Sequence, residues 1–216
     1  MTDPIPDPTS DPVASAYGAR ADEYVDAVGR ISHAEEADLR LVGTWAHRMD
    51  GPLVDVGCGP GQWTHWLHSR GVDVEGVDPV PEFIDLARQT YPEVPYRLGQ
   101  ARDLGVAPGS LGGILAWYSL IHLPPAGIDA ALAEFARCLR TGGGLLLGFF
   151  TAGTRTVFDH AVAPAYYWPV PALVSLVEDA GFTVTHAAER PGRPGRAHGE
   201  ITAVKAGPPR QLHSAP

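Results

Sequence analysis

The stretch at positions 53–62, which reads LVDVGCGPGQ, constrains the fold of this chain more than any other. Val54 and Val56 favour a buried β-strand, because β-branched side chains pack well on a pleated sheet. Three closely spaced glycines follow: Gly57, Gly59 and Gly61. Glycine allows backbone angles and close approaches that a Cβ atom would forbid. The pattern predicts a strand that ends in a tight loop and leads into a helix, with a loop that can hold a ligand against bare backbone.

The spacing of these glycines separates two kinds of ligand site. The dinucleotide fingerprint G-x-G-x-x-G would need a glycine at position 62, where this chain has Gln62. The chain instead has G-x-G-x-G, with Asp55 two residues before the first glycine. This pattern resembles motif I of the class I S-adenosylmethionine (SAM) dependent methyltransferases, whose loop holds the amino-acid end of SAM. Cys58 lies inside the loop, and we interpret it as a small side chain that fills the space there.

Composition and charge exclude several other classes of protein. The chain has 216 residues with 44% hydrophobic residues, which suits one domain with a full core. Its formal net charge of −9, with scattered basic residues, argues against a nucleic-acid partner. The longest apolar run, Leu145–Phe150, is far shorter than a membrane span, so no membrane partner is expected. Residues 1–12 lack the features of a signal peptide, and we expect a disordered leader and a cytoplasmic protein.

Helical and strand patterns alternate along the rest of the chain. Helices are expected at 15–28, 34–49, 62–70, 82–89, 129–139 and 169–180. After the strand that precedes the glycine loop, strands are expected at 72–77, 94–98, 113–118, 144–150, 182–188 and 200–205. A glycine turn at 141–144 leads into the fifth strand, and a turn at 191–197 joins the last two.

The resemblance to the methyltransferases covers about residues 17–205 and implies the fold. It implies an α/β, Rossmann-like sheet of seven strands in the order 3-2-1-4-5-7-6, with helices on both faces and a last hairpin strand that is antiparallel. We expect a single domain at 13–206, with an N-terminal helical lid at 13–49 and a flexible tail at 207–216.

Two polar positions after later strands extend the resemblance. Asp78, followed by Pro79, lies 21 residues after Gly57, where a second strand should end, and its carboxylate can accept hydrogen bonds from both ribose hydroxyls of an adenosine. A capping or solvated aspartate is the alternative. Gln100 and Ala101 stand where the family commonly has Asp-Ala, and the Gln100 amide oxygen can accept from the adenine amino group. Asp103 competes for that role.

Aromatic residues complete the expected SAM site. An aromatic-walled pocket with carboxylates suits a sulfonium cation. Tyr17 and Tyr24 lie on one face of the first helix and serve either as a lid over the cofactor or as core packing. The full set of expected cofactor-binding residues is Asp55, Gly57, Cys58, Gly59, Gly61, Trp63, Asp78, Pro79, Gln100, Ala101, Tyr118, Tyr17 and Tyr24.

His122 is the candidate general base, because its ordinary pKa is near neutral and it follows the fourth strand, at the edge where ligands bind. The alternative is a structural histidine that orients the turn at 123–125 or caps the next helix. The segment Thr151–Trp168 is the expected wall for the methyl acceptor. Its four candidate contacts are His160, Tyr166, Tyr167 and Trp168, of which the last three could instead cover the sheet edge. They favour an aromatic or partly apolar small molecule. His186 and His198 are interpreted as structural or solvated.

The sequence therefore predicts an enzyme that transfers a methyl group from SAM to an O, N or C nucleophile of a small molecule, with S-adenosylhomocysteine (SAH) as product. A SAM-fold protein without methyl transfer, acting in cyclisation or rearrangement or as a binding subunit, remains an alternative, and an NAD-dependent oxidoreductase is a weaker one. No metal ligand set is expected from the spacing of carboxylates, histidines and cysteines. The protein is expected to be a monomer or a homodimer.

Overall fold

The computed structural model describes residues 11–192 and 196–207, and its central feature is a seven-stranded sheet. The strands are β1 (Leu53–Val56), β2 (Val74–Asp78), β3 (Tyr96–Leu98), β4 (Leu111–Trp117), β5 (Leu139–Thr151), β6 (Thr156–Phe158), β7 (Ala165–Tyr167), β8 (Phe182–Pro191) and β9 (Ala197–Lys205). The helices are α1 (Pro12–Gly18), α2 (Ala21–Val28), α3 (Glu36–Ala46), α4 (Gln62–His68), α5 (Pro81–Thr90), α6 (Pro125–Cys138) and α7 (Val170–Asp179). A 3-10 turn at Ile31–His33 precedes α3.

The strand order of the large sheet is β3-β2-β1-β4-β5-β9-β8. The first five strands in this order run parallel, whereas β9 is antiparallel to both β5 and β8. The two remaining strands, β6 and β7, form a separate antiparallel hairpin. Without that inserted hairpin the order is the predicted 3-2-1-4-5-7-6, so the predicted fold class is confirmed.

Alternating side chains of the central strands build a core on each face of the sheet. Leu145 and Leu147 of β5 pack into the cluster that includes Phe135 of α6 and Val177 of α7. Leu146, between them, faces the opposite way into the second cluster. That cluster contains residues of α3 and α4. The strands are therefore buried on both faces, as parallel strands covered by helices must be.

The N-terminal region differs from the sequence prediction. The expected single helix at 15–28 is wrong, because α1 ends at Gly18 and α2 begins at Ala21. Asp11 caps α1 by accepting from the backbone N–H of Val13 at 2.9 Å, so the leader expected through residue 12 is wrong for its last two residues. Residues 1–10 lie outside the described part of the chain.

Three further boundaries differ for physical reasons. Strand β5 begins earlier than expected, at Leu139, which pairs with Leu111. Residues 140–143 then form an irregularity with Gly142 at φ of 77°, and pairing with β4 resumes at Gly144, where the fifth strand was expected to begin. The segment after β5 was expected to be a loop but contains β6 and β7. Helix α6 begins at Pro125, earlier than expected, because proline is well suited to the first turn of a helix. The turn at 191–197 and the tail at 207–216 lie partly outside the described residues.

Among the described residues, no helix is long and apolar enough to cross a membrane.

Candidate active site

Two neighbouring cavities lie between the N-terminal helices and the carboxyl ends of β1, β2 and β4. The Asp78 cavity, of about 350 Å³, contains Asp78, Pro79, Gln100 and Ala101 in its lining. The Asp55 cavity, of about 250 Å³, contains Asp55, Cys58, Trp63 and His160. Both cavities share five lining residues: Tyr17, Tyr24, Gly57, Trp117 and Tyr118. Most of the residues that the sequence predicted as a cofactor site therefore meet in one continuous depression at the switch point of the sheet.

The glycine loop is shaped by backbone angles that favour glycine. Gly57 has φ of 69°, and its N–H donates to the Val77 carbonyl at 2.7 Å. A Cβ atom at position 57 would lie 2.2 Å from the Cβ atom of Ser119. Gly61 has φ of 86° and lines neither cavity. Its carbonyl accepts from the Tyr96 hydroxyl at 3.2 Å. The predicted loop is present and leaves bare backbone at the Asp55 and Asp78 cavities.

Asp55 is a buried carboxylate at the floor of the site. Its side chain accepts from the Thr64 hydroxyl at 2.7 Å, and the residue is 2% exposed. Burial raises the pKa of Asp55 to about 7, with a smaller contribution in the same direction from the charge of Asp78. Its charged form is therefore costly without a cation nearby, which makes Asp55 suited to a positively charged ligand group.

Asp78 holds the glycine loop and also lines the larger cavity. Its two carboxylate oxygens accept from the backbone N–H groups of Gly59 at 2.8 Å and Val80 at 2.9 Å. Burial raises the pKa of Asp78 to about 6, although both hydrogen bonds act in the opposite direction. Each oxygen has a second lone pair, so the loop-capping role and the ribose-binding role weighed for Asp78 are compatible.

Gln62 is a site residue that the sequence reasoning used only to exclude a dinucleotide motif. It is 8% exposed, lines the Asp55 cavity, and its Oε1 atom has no hydrogen-bond partner in the described chain. A buried, unpaired amide oxygen is costly unless a ligand donates to it. Its place at the first turn of α4, directly after the glycines, was the signal that could have identified it.

The N-terminal helices contact the site through Tyr17 and His122. The two rings are joined by a hydrogen bond of 2.7 Å from the Tyr17 hydroxyl to His122 Nε2. His122 Nδ1 lies 2.9 Å from the Pro164 carbonyl, which can only accept, so Nδ1 carries the proton and Nε2 presents its lone pair to Tyr17. Burial lowers the pKa of His122 and raises that of Tyr17. His122 thus connects α1 with the segment before β7, rather than bonding the turn at 123–125 or the following helix.

Of the four residues predicted to contact the methyl acceptor, one lines a cavity. His160 lines the Asp55 cavity with its ring centre 5.2 Å from that of His122. Burial, with smaller effects from His122 and Arg196, lowers the pKa of His160 to about 4, which leaves it neutral. The linings of the two cavities do not include Tyr166, Tyr167 and Trp168. Tyr167 stacks on Phe158, and Trp168 is buried in the core, so these rings cover the sheet as the alternative proposed.

Other residues extend the site beyond the sequence prediction. The Asp55 cavity is also lined by Arg30, His33 and Asp38, which lie in or near the 3-10 turn.

The two candidates for an adenine contact lie in different surroundings. Gln100 lines the Asp78 cavity, whereas the Asp103 carboxylate accepts from the Gly105 N–H at 3.1 Å. Within the described ranges no group of three or more His, Cys, Asp or Glu side chains is arranged to hold a metal ion.

The sheet order, with a glycine loop at its switch point, defines a Rossmann-like protein, and comparisons with known proteins give its family. A family model described as a methyltransferase domain matches residues 53–143. An uncharacterised methyltransferase of Mycobacterium tuberculosis is 35% identical, across 74% of this chain and 75% of the relative. Malonyl-acyl-carrier-protein O-methyltransferase of Serratia marcescens is 30% identical, across 66% of this chain and 54% of that protein. The chain belongs to the class I SAM-dependent methyltransferases.

Solved structures agree with this assignment. The Burkholderia thailandensis 1,6-didemethyltoxoflavin N1-methyltransferase, solved with its substrate and SAH bound, has a TM-score of 0.69 and 25% identity, covering 94% of both chains. The cyclase SpnF has a TM-score of 0.75 at 19% identity, with 94% of this chain and 99% of that chain covered, and shows the shared fold. SAM is the cofactor, which sets aside the NAD-dependent alternative. The glycine cradle, the buried carboxylates and the unpaired Gln62 oxygen fit a ligand with an adenosine end and a cationic amino-acid end.

Proposed function

We propose that this protein transfers the methyl group of SAM to an O, N or C nucleophile of a small, aromatic or partly apolar molecule. The pair of adjoining cavities supports this proposal most directly. The Asp78 cavity has polar groups suited to an adenosine, and the Asp55 cavity has aromatic walls beside a buried carboxylate. A bound SAM supplies a methyl group on a sulfonium, which is electrophilic without further activation.

The roles that we assign in the cofactor site follow from the chemistry of each wall. Asp78 accepts from the ribose hydroxyls, and Gln100, beside Ala101, accepts from the adenine amino group. Gln62 accepts from the ammonium of the methionine end, next to the glycine loop. Asp55 and Trp63 stabilise positive charge there, Asp55 by Coulomb attraction and Trp63 through its ring face.

The acceptor side is the part of the Asp55 cavity near His160. Phe150 and His160 lie there with ring centres 6.3 Å apart, and Ile121 adds an apolar surface. Because burial keeps His160 neutral, this wall presents ring faces and an uncharged imidazole to the acceptor. A planar acceptor with a polar atom at its edge suits these groups.

His122 and Tyr17 provide a route for the acceptor's proton. As the acceptor attacks, its proton passes to the Tyr17 oxygen while the Tyr17 proton passes to His122 Nε2. The resulting imidazolium keeps its Nδ1–H bond to the Pro164 carbonyl, which stabilises it. Its lowered pKa then favours release of the proton to solvent.

The first experiment is incubation of the protein with SAM and a library of phenols, amines and carboxylic acids, with mass spectrometry of the products. We expect a methylated product and equimolar SAH. Binding of SAM in calorimetry without any methylated product would favour the alternative of a SAM-fold protein that does not transfer methyl groups. Absence of SAM binding would overturn the proposal.

The proton route makes a separate prediction for His122. We expect His122→Ala to lower turnover by roughly 100-fold, the usual contribution of a general base, with a much smaller loss of SAH affinity from the lost bond to Tyr17. Tyr17→Phe should lower turnover as well, because it breaks the same route. Turnover by His122→Ala equal to that of the wild type at saturating acceptor would remove His122 from the mechanism.

A further inference from the structure

Tyr118, the residue between the two cavities, is held in an unusual conformation. It is the one non-glycine residue of the described chain with positive φ, at 58°. Such a backbone conformation is unfavourable for tyrosine and persists only where its surroundings fix it. The Tyr118 N–H donates to the Gly148 carbonyl at 2.8 Å, and its ring packs on Phe150 with centroids 4.8 Å apart. The Tyr118 hydroxyl bonds to Nδ1 of His198.

His198 is itself fixed from the opposite side. It is 1% exposed, and its Nε2 lies 3.1 Å from a carboxylate oxygen of Glu200. Because a carboxylate only accepts, Nε2 carries the proton, and Nδ1 accepts from the Tyr118 hydroxyl. Burial and the charge of Arg190 lower the pKa of His198 to about 4, so the ring stays neutral and keeps this direction of hydrogen bonding at neutral pH.

The chain of contacts continues from Glu200 to the N-terminal helices. The Arg190 guanidinium of β8 contacts three carboxylates. Its Nε lies 3.6 Å from Glu200 Oε2, its Nη1 lies 2.6 Å from Glu35 Oε2, and its Nη2 pairs with Asp38 of α3. Asp38 is largely buried and lines the Asp55 cavity. The terminal hairpin β8–β9 is therefore connected, through charged and polar groups, both to α3 and to the wall that the cavities share.

We propose that His198, oriented by Glu200 and Arg190, is a positioning residue that holds Tyr118 across the two cavities, so that the terminal hairpin contributes to ligand affinity without touching the ligand. The inference rests on the proposed function only in taking SAH as a ligand of these cavities. Loss of the His198 bond leaves the Tyr118 ring and its strained backbone free to move, and the wall that both ligands need is then less well formed.

The test uses three substitutions that remove different parts of the histidine. His198→Asn keeps a polar atom near the position of Nδ1, His198→Gln keeps one near Nε2, and His198→Ala keeps neither. With SAH as the probe in calorimetry, we expect the Ala and Gln variants to bind about fivefold more weakly, the effect of one lost buried hydrogen bond. The Asn variant should recover most of the affinity. Tyr118→Phe should weaken binding to a similar degree, and adding His198→Ala to it should have little further effect.

His186→Asn is the matched control. His186 also bonds Glu200 at 3.1 Å, but it is exposed and is not a partner of Tyr118. We expect this variant to bind SAH as the wild type does. The melting temperature of every variant is recorded at the same time.

Equal SAH affinity in all three His198 variants, with only their melting temperatures lowered, would overturn the inference and leave His198 as a purely structural residue. Additive effects of Tyr118→Phe and His198→Ala would also overturn it. A wild-type protein that bound no SAH would contradict the proposed function and this inference together, an outcome that the wild-type titration reports before any variant is compared.

Discussion

At the scale of single residues, Gly57 combines a positive φ with a contact that leaves no room for a methyl group. Gly71 provides a matched control, because it also has positive φ, at 80°, but has no atom within 4 Å of a Cβ placed there. We expect Gly71→Ala to lower the free energy of unfolding by about 1–2 kcal/mol, the cost of a left-handed alanine. Gly57→Ala carries the same cost and also displaces Ser119, which follows β4 and faces the glycine loop, so its loss should exceed about 3 kcal/mol.

Urea denaturation of the two variants measures this difference. SAH titration should show that Gly71→Ala binds normally, since Gly71 ends α4 on the side away from both cavities. Similar stability losses in the two variants would show that the loop accommodates a Cβ atom and that backbone angle alone matters at position 57.

Asp55 makes the stability of the ligand-free protein depend on pH. Its pKa is about 7 in the folded protein, compared with about 4 for an ordinary aspartate, so the folded state binds more protons between these values. Stability therefore falls as pH rises through this range, and the cost of the buried charge is fully present only above pH of about 7. A cationic ligand group beside Asp55 would offset this cost.

Asp55→Asn tests this origin of the pH dependence. The amide keeps the acceptor for Thr64 but carries no charge, so we expect a free energy of unfolding that is a few kcal/mol higher than that of the wild type at pH of about 8. At pH of about 4 the two proteins should differ little, because Asp55 is then protonated. Asp50→Asn is the control, since that side chain is 92% exposed and its pair with Arg140 should contribute less than about 1 kcal/mol. A gain for Asp55→Asn that was equal at both pH values would contradict the explanation.

At the scale of secondary-structure elements, the cap of α1 determines whether Tyr17 is presented to the site. None of the α1 residues is fully buried, so the helix depends on its cap at Asp11 and on the hydrogen bond and ring contacts of Tyr17. Asp11→Ala removes an acceptor for the Val13 N–H, which costs about 1 kcal/mol, or roughly fivefold in the opening equilibrium of α1. Asp11→Asn retains the capping oxygen and should behave as the wild type.

Hydrogen exchange of the α1 amides measures this opening. We expect faster exchange in α1 for Asp11→Ala, with no change in α3, whose first turn is independent of Asp11. Unchanged exchange in α1 would mean that packing on the site, rather than the cap, orders the helix.

The elements that the sequence predicted correctly are those with strong local signals. The strand before the glycine loop and the two closing strands followed from apolar runs and glycine positions, whereas the strand order came from the resemblance to the methyltransferases. The break between α1 and α2 was missed because Ala19 and Arg20, both good helix formers, follow Gly18, although a glycine at that place is a local stop signal. The hairpin of β6 and β7 was missed because each strand has three residues and depends on tertiary contacts, such as the bond from the Tyr166 N–H to the Ile121 carbonyl.

In the site too, residues marked by local sequence patterns were predicted, and residues placed by tertiary contacts were missed. Asp55, Asp78 and the glycines could be placed from spacing along the chain. His198 was interpreted as structural or solvated, and its contact with Tyr118 depends on the antiparallel pairing of β5 with β9, which brings His198 opposite Phe150. Eighty residues separate Tyr118 from His198, so no pattern within one window of sequence indicates that contact.

At the scale of the whole molecule, the two cavities lie where three separate parts of the chain meet. The N-terminal helices supply Tyr17 and Tyr24, the central strands supply the glycine loop and Tyr118, and the segment after β5 supplies His160. The core on the α6–α7 side of the sheet is formed largely by other residues. A ligand in the cavities should therefore order one side of the molecule more than the other.

This arrangement predicts the pattern of stabilisation by SAH. At a free concentration 100 times its dissociation constant, SAH should raise the free energy of unfolding by about 2.7 kcal/mol through mass action alone. Amides that open only by global unfolding, such as those of β4 and β5, should slow by that amount. Exchange of the α1 and α2 amides through local opening should also slow, because Tyr17 and Tyr24 line both cavities and would contact the ligand. Hydrogen exchange with and without SAH measures both effects, with α7 as the internal reference for local opening away from the site. Equal slowing of local exchange in α7 and in α1 would show that the ligand does not order the N-terminal helices in particular, and that their role as a lid is wrong.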